Sequence, residues 1–167
     1  FLFFICLLYT FPVGLSNSNL RNVGKVKLFL VAVCWSASTI ILPAIENEIQ
    51  NIYQTIILTI QFFILVIIYT IPFEIRDMEH DSKDLKTIPQ LMGIKNSKRL
   101  AYLLIAVFYV LSIENFSINF LKESDLLISI LLILIIYLTK KNQSKYFASF
   151  WVESVPIYWI LISLILN

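Results

Sequence analysis

The sequence predicts an all-α fold, a polytopic bundle of transmembrane helices, and three observations lead there. First, 59% of the 167 residues are hydrophobic and only 14% are charged, with a mean hydropathy of +0.82. Soluble domains usually carry charge on about a quarter of their residues, so this chain has too few polar side chains to cover a water-facing surface. Second, apolar segments recur at 1–11, 28–45, 52–72, 100–117, 124–139 and 150–166. Several approach the roughly 20 residues that cross a hydrocarbon core. Third, the basic residues sort with the loops. In an up-and-down threading, twelve of the 13 lie in 12–27, 73–99 and 140–149, and the alternate loops hold only Lys122. The positive-inside rule makes that basic side cytoplasmic.

Taken in order, the first segment is too short to span and opens at Phe1 inside an apolar run. It lacks the basic stretch and cleavage site of a signal peptide, so the chain is expected to begin partway through a helix, truncated at the N-terminus. Pro12 closes this segment. Cys6 and Cys34 both lie in apolar runs without CxxC spacing, which predicts buried thiols rather than a disulfide or metal site. The segments 28–45 and 52–72 are expected to end near Pro43 and Pro72, where proline does least harm. Gln54 and Gln61, seven apart, share a helix face and are expected to bond to neighbouring helices. Glu114 and Asn115 mark an approach to the outer surface.

The fifth segment, "DLLISILLILIIYLT", is short but dense in Leu and Ile. A buried strand is its rival reading, but runs this long and this numerous make poor strands for a soluble sheet. In the last segment Pro156 suits the first turns of a helix that starts near Ser154, and Glu153 suits a first-turn acid. Trp35, Trp151 and Trp159 are candidate interfacial anchors, Trp151 foremost. No Asp, Lys or Arg is expected in the middle of a span. The whole of 1–167 reads as a single transmembrane domain.

Eleven of the 24 charged residues fall between 74 and 99. If the helix of 52–72 continues into this stretch, Glu74, Asp77, Asp81 and Asp84 stack on one face. Asp77 and Asp81, four apart, can share a divalent cation through hard oxygen ligands, as Mg²⁺ prefers. Arg76, Lys83, Lys86, Lys95, Lys98 and Arg99 could meet phosphate charge beside it. A solvated, charged loop that only sets topology is the plainer alternative. His80, Glu79 and Met78 point away from the two aspartates and are read as structural. Tyr9 is weighed as an interfacial aromatic against a substrate contact.

The stretch "IRDMEHDSKDLKTIPQLMG", 75–93, resembles the second aspartate motif of the UbiA superfamily of intramembrane prenyltransferases. Arg76, Asp77, Asp81, Thr87, Ile88, Pro89 and Gly93 carry the match. Upstream, "LYTFPVG" and "RNVGKVKLFLVAVCW" resemble the family's segment between its fourth and fifth helices, and the run of helices extends the resemblance over nearly the whole chain. It implies a UbiA-like fold of helices around a central cavity, with Mg²⁺ holding the diphosphate of an isoprenoid donor. The prenyl group then passes to an aromatic or lipid acceptor. Carried over, Asp77 and Asp81 would be catalytic metal ligands, with Asp84 a further acid. Arg76, Lys86, Tyr9, Arg21 and Lys25 would serve the diphosphate.

The chain also departs from that pattern. The first aspartate motif and the helices before it are absent, so the chain corresponds to roughly the fourth helix onward and is expected to be inactive alone. Leu85 stands where glycine is common, and the step from Asp81 to Thr87 is one residue short. The expectation is a Mg²⁺-dependent prenyltransferase, integral and multi-pass in a bacterial cell membrane, with the 73–99 loop cytoplasmic. Its partners would be the donor, the acceptor and membrane lipid; neither nucleic acid nor an obligate protein partner is expected. The rivals are a non-enzymatic membrane protein, such as a transporter or scaffold subunit, and a UbiA-fold protein that has lost catalysis.

Overall fold

A computed structural model describes residues 24–49, 51–82, 85–114, 119–144 and 146–166. The described residues are helical, in the order α1 (Gly24–Ser36), a wide turn (Ala37–Ile41), α2 (Leu42–Glu46), α3 (Ile52–Asp77), α4 (Ile88–Glu114), α5 (Asn119–Leu138), a second wide turn (Phe147–Val152) and α6 (Val155–Leu166). Four stretches are long and apolar enough to cross a membrane: Lys27–Glu46, Ile52–Asp77, Ile88–Ile113 and Phe147–Leu166. The protein is therefore an all-α, polytopic membrane helical bundle. The first apolar segment, 1–11, lies outside the described residues.

α3 is the central helix. It opens at Asn51, whose side chain accepts a hydrogen bond from the Gln54 amide at 3.1 Å and so satisfies one of the donors that a helix start leaves free. Its 26 residues reach about 39 Å at 1.5 Å each, more than the roughly 30 Å hydrocarbon core. Leu65, Ile68, Ile71 and Ile75 recur at helical spacing with no exposed surface and form the spine of the core. α1 packs on one side of α3 and α4 on another; α4 packs on α5, and α5 on α6. Ala101, Ile105 and Phe108 of α4 meet a row of Ile128, Leu132 and Ile136 from α5 in the same core.

The outer surface is as apolar as the core. Ile52, Ile56 and Ile60 of α3, Ile130, Ile133 and Leu134 of α5, and Ile157, Leu164 and Ile165 of α6 are all exposed. In water such a belt would drive association; in a bilayer it faces acyl chains at no cost.

Three features differ from the sequence reading. Pro72 sits inside α3 rather than at its end, because the helix runs on to Asp77. The 73–99 loop is consequently shortened to a link between Asp77 and Ile88, since α4 begins well before residue 100. α4 is bent at Gly93, whose φ of 78° and ψ of 162° lie in a region essentially reserved for glycine. Pro43, by contrast, lies in the last turn of the Lys27–Glu46 run, near the helix end where it was expected.

Candidate functional site

The end of the bundle that carries the aspartate motif is built by the last turns of α3 and the first of α4. The backbone amides of His80 and Asp81 both donate to the Asp77 carbonyl, at 2.9 and 2.8 Å. That bond adds one more turn, so Asp81 sits a turn above Asp77 on the same side. The chain then reverses through Lys86, whose φ is +51°. Gln90 closes the reversal: its Oε1 accepts from the Thr87 amide at 3.1 Å, and its Nε2 donates to the carbonyls of Asp81 and Ser82 at 3.4 and 3.2 Å. A carboxyl oxygen of Glu74 accepts from the Ile88 amide at 3.2 Å, which ties the start of α4 back to α3.

These turns enclose a cavity of about 200 Å³. Lys27, Glu74, Asp77, Asp81 and Thr87 form its polar end, and Leu28, Val31, Phe73 and Leu85 its apolar walls. Thr87 is only 5% exposed, and its Oγ1 has no hydrogen-bond partner among the described residues. Val31, Thr70 and Phe73 also line a second cavity of about 620 Å³, reached between α1, α3 and α6 beside Trp35, Tyr69 and Glu153. The two adjoin along these shared residues, a charged hollow beside a larger, mostly apolar one, and together they make up the cleft.

Asp77 is already engaged. The Arg76 guanidinium donates to both of its carboxylate oxygens, from Nε at 2.6 Å and from Nη2 at 2.8 Å, and lies 5.3 Å from the centre of the Phe73 ring. Arg76 faces a second, more polar hollow with Glu79, His80, Lys141 and Gln143. There the two links at this end are joined. Lys141 pairs with Glu79, whose carboxyl is held below its ordinary range by that ammonium. The Gln143 side chain donates to the Pro72 carbonyl at 2.9 Å.

The sequence-predicted residues divide accordingly. Asp77 and Asp81 face one cleft. Arg76 acts on Asp77, and Lys86 is exposed and not among the residues lining the cleft. Tyr9, Arg21 and Asp84 lie outside the described residues, as does the side chain of Lys25. Among the described residues no group of three or more His, Cys, Asp or Glu side chains could hold a metal ion. Sequence reasoning had passed over Lys27 and Glu74 as cleft residues. The 3–4–3 acid spacing signalled Glu74, but nothing in the spacing placed Lys27 opposite it.

The expectation that no Asp, Lys or Arg lies in mid-helix fails at Asp125, in α5, a helix outside the four stretches that qualify as spans. It is 2% exposed, inside α5 rather than at its start, because that helix begins at Asn119. Gln61 Nε2 donates to one of its oxygens and Trp159 Nε1 to the other, each at 2.6 Å. Gln61 thus bonds to a neighbouring helix as its position predicts. Trp159 is no interfacial anchor: its ring stacks on Phe62, with centroids 6.1 Å apart, and meets Phe108 edge-on at 5.7 Å. Trp151 remains on the outer surface, 54% exposed, and Trp35, 55% exposed, stands at the open edge of the cleft.

Compared with known proteins, the chain matches no family model, no curated protein and no solved structure.

Proposed function

We propose that this membrane protein is non-enzymatic and works as a transporter subunit, with its motif end in the cytoplasm and the cleft between α1, α3 and α6 as its solute path. The observation that carries the reading is the cleft itself. A hollow lined by ionisable groups adjoins a larger, mostly apolar one that lies between helices beside Trp35 and Tyr69. The Arg76 fork on Asp77 weighs the same way, because a carboxylate held on both oxygens by a guanidinium has less to offer a metal.

A second reading, Mg²⁺-dependent prenyl transfer, is favoured by one observation: Asp77 and Asp81 share a cleft whose other walls are apolar. Its magnesium would rest on those two carboxylates, with the prenyl chain along Val31 and Phe73.

One pair of measurements separates the two. Protein in lipid vesicles is expected to give solute-dependent transient currents on a supported membrane, and no Mg²⁺-dependent release of diphosphate from farnesyl diphosphate. Diphosphate release that is lost in both Asp77→Asn and Asp81→Asn, without any current, would replace the first reading with the second.

A further inference from the structure

We propose that the cleft between α1, α3 and α6 binds a lipophilic cation, a positive centre carried on an apolar or aromatic body. The proposal deepens the transport reading and rests on it for the site's role, though the binding itself is tested separately.

Charge is the first ground. Four carboxyl groups line the cleft, Glu74, Asp77 and Asp81 at its mouth and Glu153 further along, against Lys27 and the Arg76 that pairs with Asp77. An anionic head entering alone would meet this excess of carboxylate. A cationic head gains from it, most of all where water is scarce. Glu74 has room for such a partner, since the Ile88 amide engages one of its two carboxyl oxygens, Oε2.

The walls give the second ground. Trp35, Tyr69 and Phe73 present aromatic surface to the passage, and the electron-rich face of such a ring attracts a cation. Phe73 already does so: the Arg76 guanidinium lies over its ring at 5.3 Å. The aliphatic and proline surface of Val31 and Pro156 suits the apolar body.

Thr87 is the third ground, independent of charge. A buried hydroxyl without a partner costs stability unless something fills the vacancy. Thr87 lines the mouth beside Asp81, where its oxygen can accept from an N–H donor or lie against a positive centre. The cavities of about 200 and 620 Å³ are large enough in sequence for a compact head and a several-ring body.

The test uses tetraphenylphosphonium, a permanent lipophilic cation, with purified protein in nanodiscs and equilibrium dialysis. Saturable binding is expected without Mg²⁺, displaced by dodecylammonium and not by dodecyl sulfate. Glu74→Gln combined with Asp81→Asn should weaken it about tenfold, and Phe73→Leu several-fold. The variants are compared only where size-exclusion profiles match the parent protein. In well-folded protein, the absence of saturable binding, or binding that both variants leave unchanged, would overturn the proposal. So would displacement by dodecyl sulfate as effective as by dodecylammonium. Binding without vesicle uptake keeps the cation site and overturns the transport reading. Uptake of other solutes without tetraphenylphosphonium binding does the reverse.

Discussion

The indole nitrogen of Trp159 donates to Asp125 across 2.6 Å, joining α6 to α5 at a point where the carboxylate also receives Gln61 from α3. Three helices distant in sequence meet on one buried acid. In a bilayer the hydrophobic effect does not press helices together, so such bonds and close packing supply the cohesion.

Asp125→Leu removes the acceptor from one buried donor, Gln61, and one half-buried donor, Trp159, so it should destabilise the bundle by about 1–3 kcal/mol. Trp159→Phe keeps the stacking and loses one bond, so its cost should be smaller, about 1 kcal/mol. Unfolding in mixed detergent reads both. Equal midpoints for Asp125→Leu and the parent protein would show that the node contributes nothing.

Gly93→Ala should cost about 1–3 kcal/mol although nothing lies within 4 Å of the added carbon. The penalty is purely conformational, from a φ of 78° paired with a ψ of 162°. A neutral result would mean that α4 straightens when glycine is lost, which a pair of spin labels across the bend would detect.

The tie between the two links at the motif end should appear in hydrogen exchange. Gln143→Ala removes the bond to the Pro72 carbonyl, and amides of 139–144 should then exchange several-fold faster, consistent with loss of about 1 kcal/mol. Unchanged protection would place the restraint elsewhere.

Glu79 offers a pH test with a definite sign. Its carboxyl is depressed by Lys141, so the ion pair stabilises the folded protein above the ordinary glutamate range. That contribution is lost as pH falls through the lowered value. The Glu79 side-chain carbon should titrate below ordinary glutamates by NMR, and Lys141→Gln should return it upward. A titration that Lys141→Gln leaves unmoved would rule out the pairing in solution.

The helical class and the polar end were legible because both are written locally. The expected count of six spans was not matched: four described stretches qualify, and the 124–139 segment is not one of them. The Leu and Ile runs mark the spans, and Asp77, Asp81 and Thr87 lie within eleven residues of one another in a single link. What escaped was set by partners far away. Asp125 reads as a helix-boundary acid until Gln61, 64 residues earlier, and Trp159, 34 later, close on it. Lys27 reads as a topology charge until α1 packs on α3. Pro72 resembles a terminator because local rules disfavour it inside a helix, yet α3 continues through it to Asp77.

The wide turn at Ala37–Ile41 closes with the Leu42 amide donating to the carbonyl five residues back, at Ala37, so the turn holds one residue more than a regular helix would. Each residue advances a helix by about 100 degrees, and the extra one swings everything beyond it to a new bearing. Before the turn, Val31 and Trp35 look into the cleft beside α6. From its last residue onward, Ile41, Ala44 and Ile45 look instead into an apolar groove of about 390 Å³ against the start of α3. One helical rod thus serves two hollows on different sides, and the partition is encoded by a residue count rather than by any side chain. Substitutions in the turn would preserve that partition, whereas a one-residue deletion would rotate one hollow's lining out of phase with its wall.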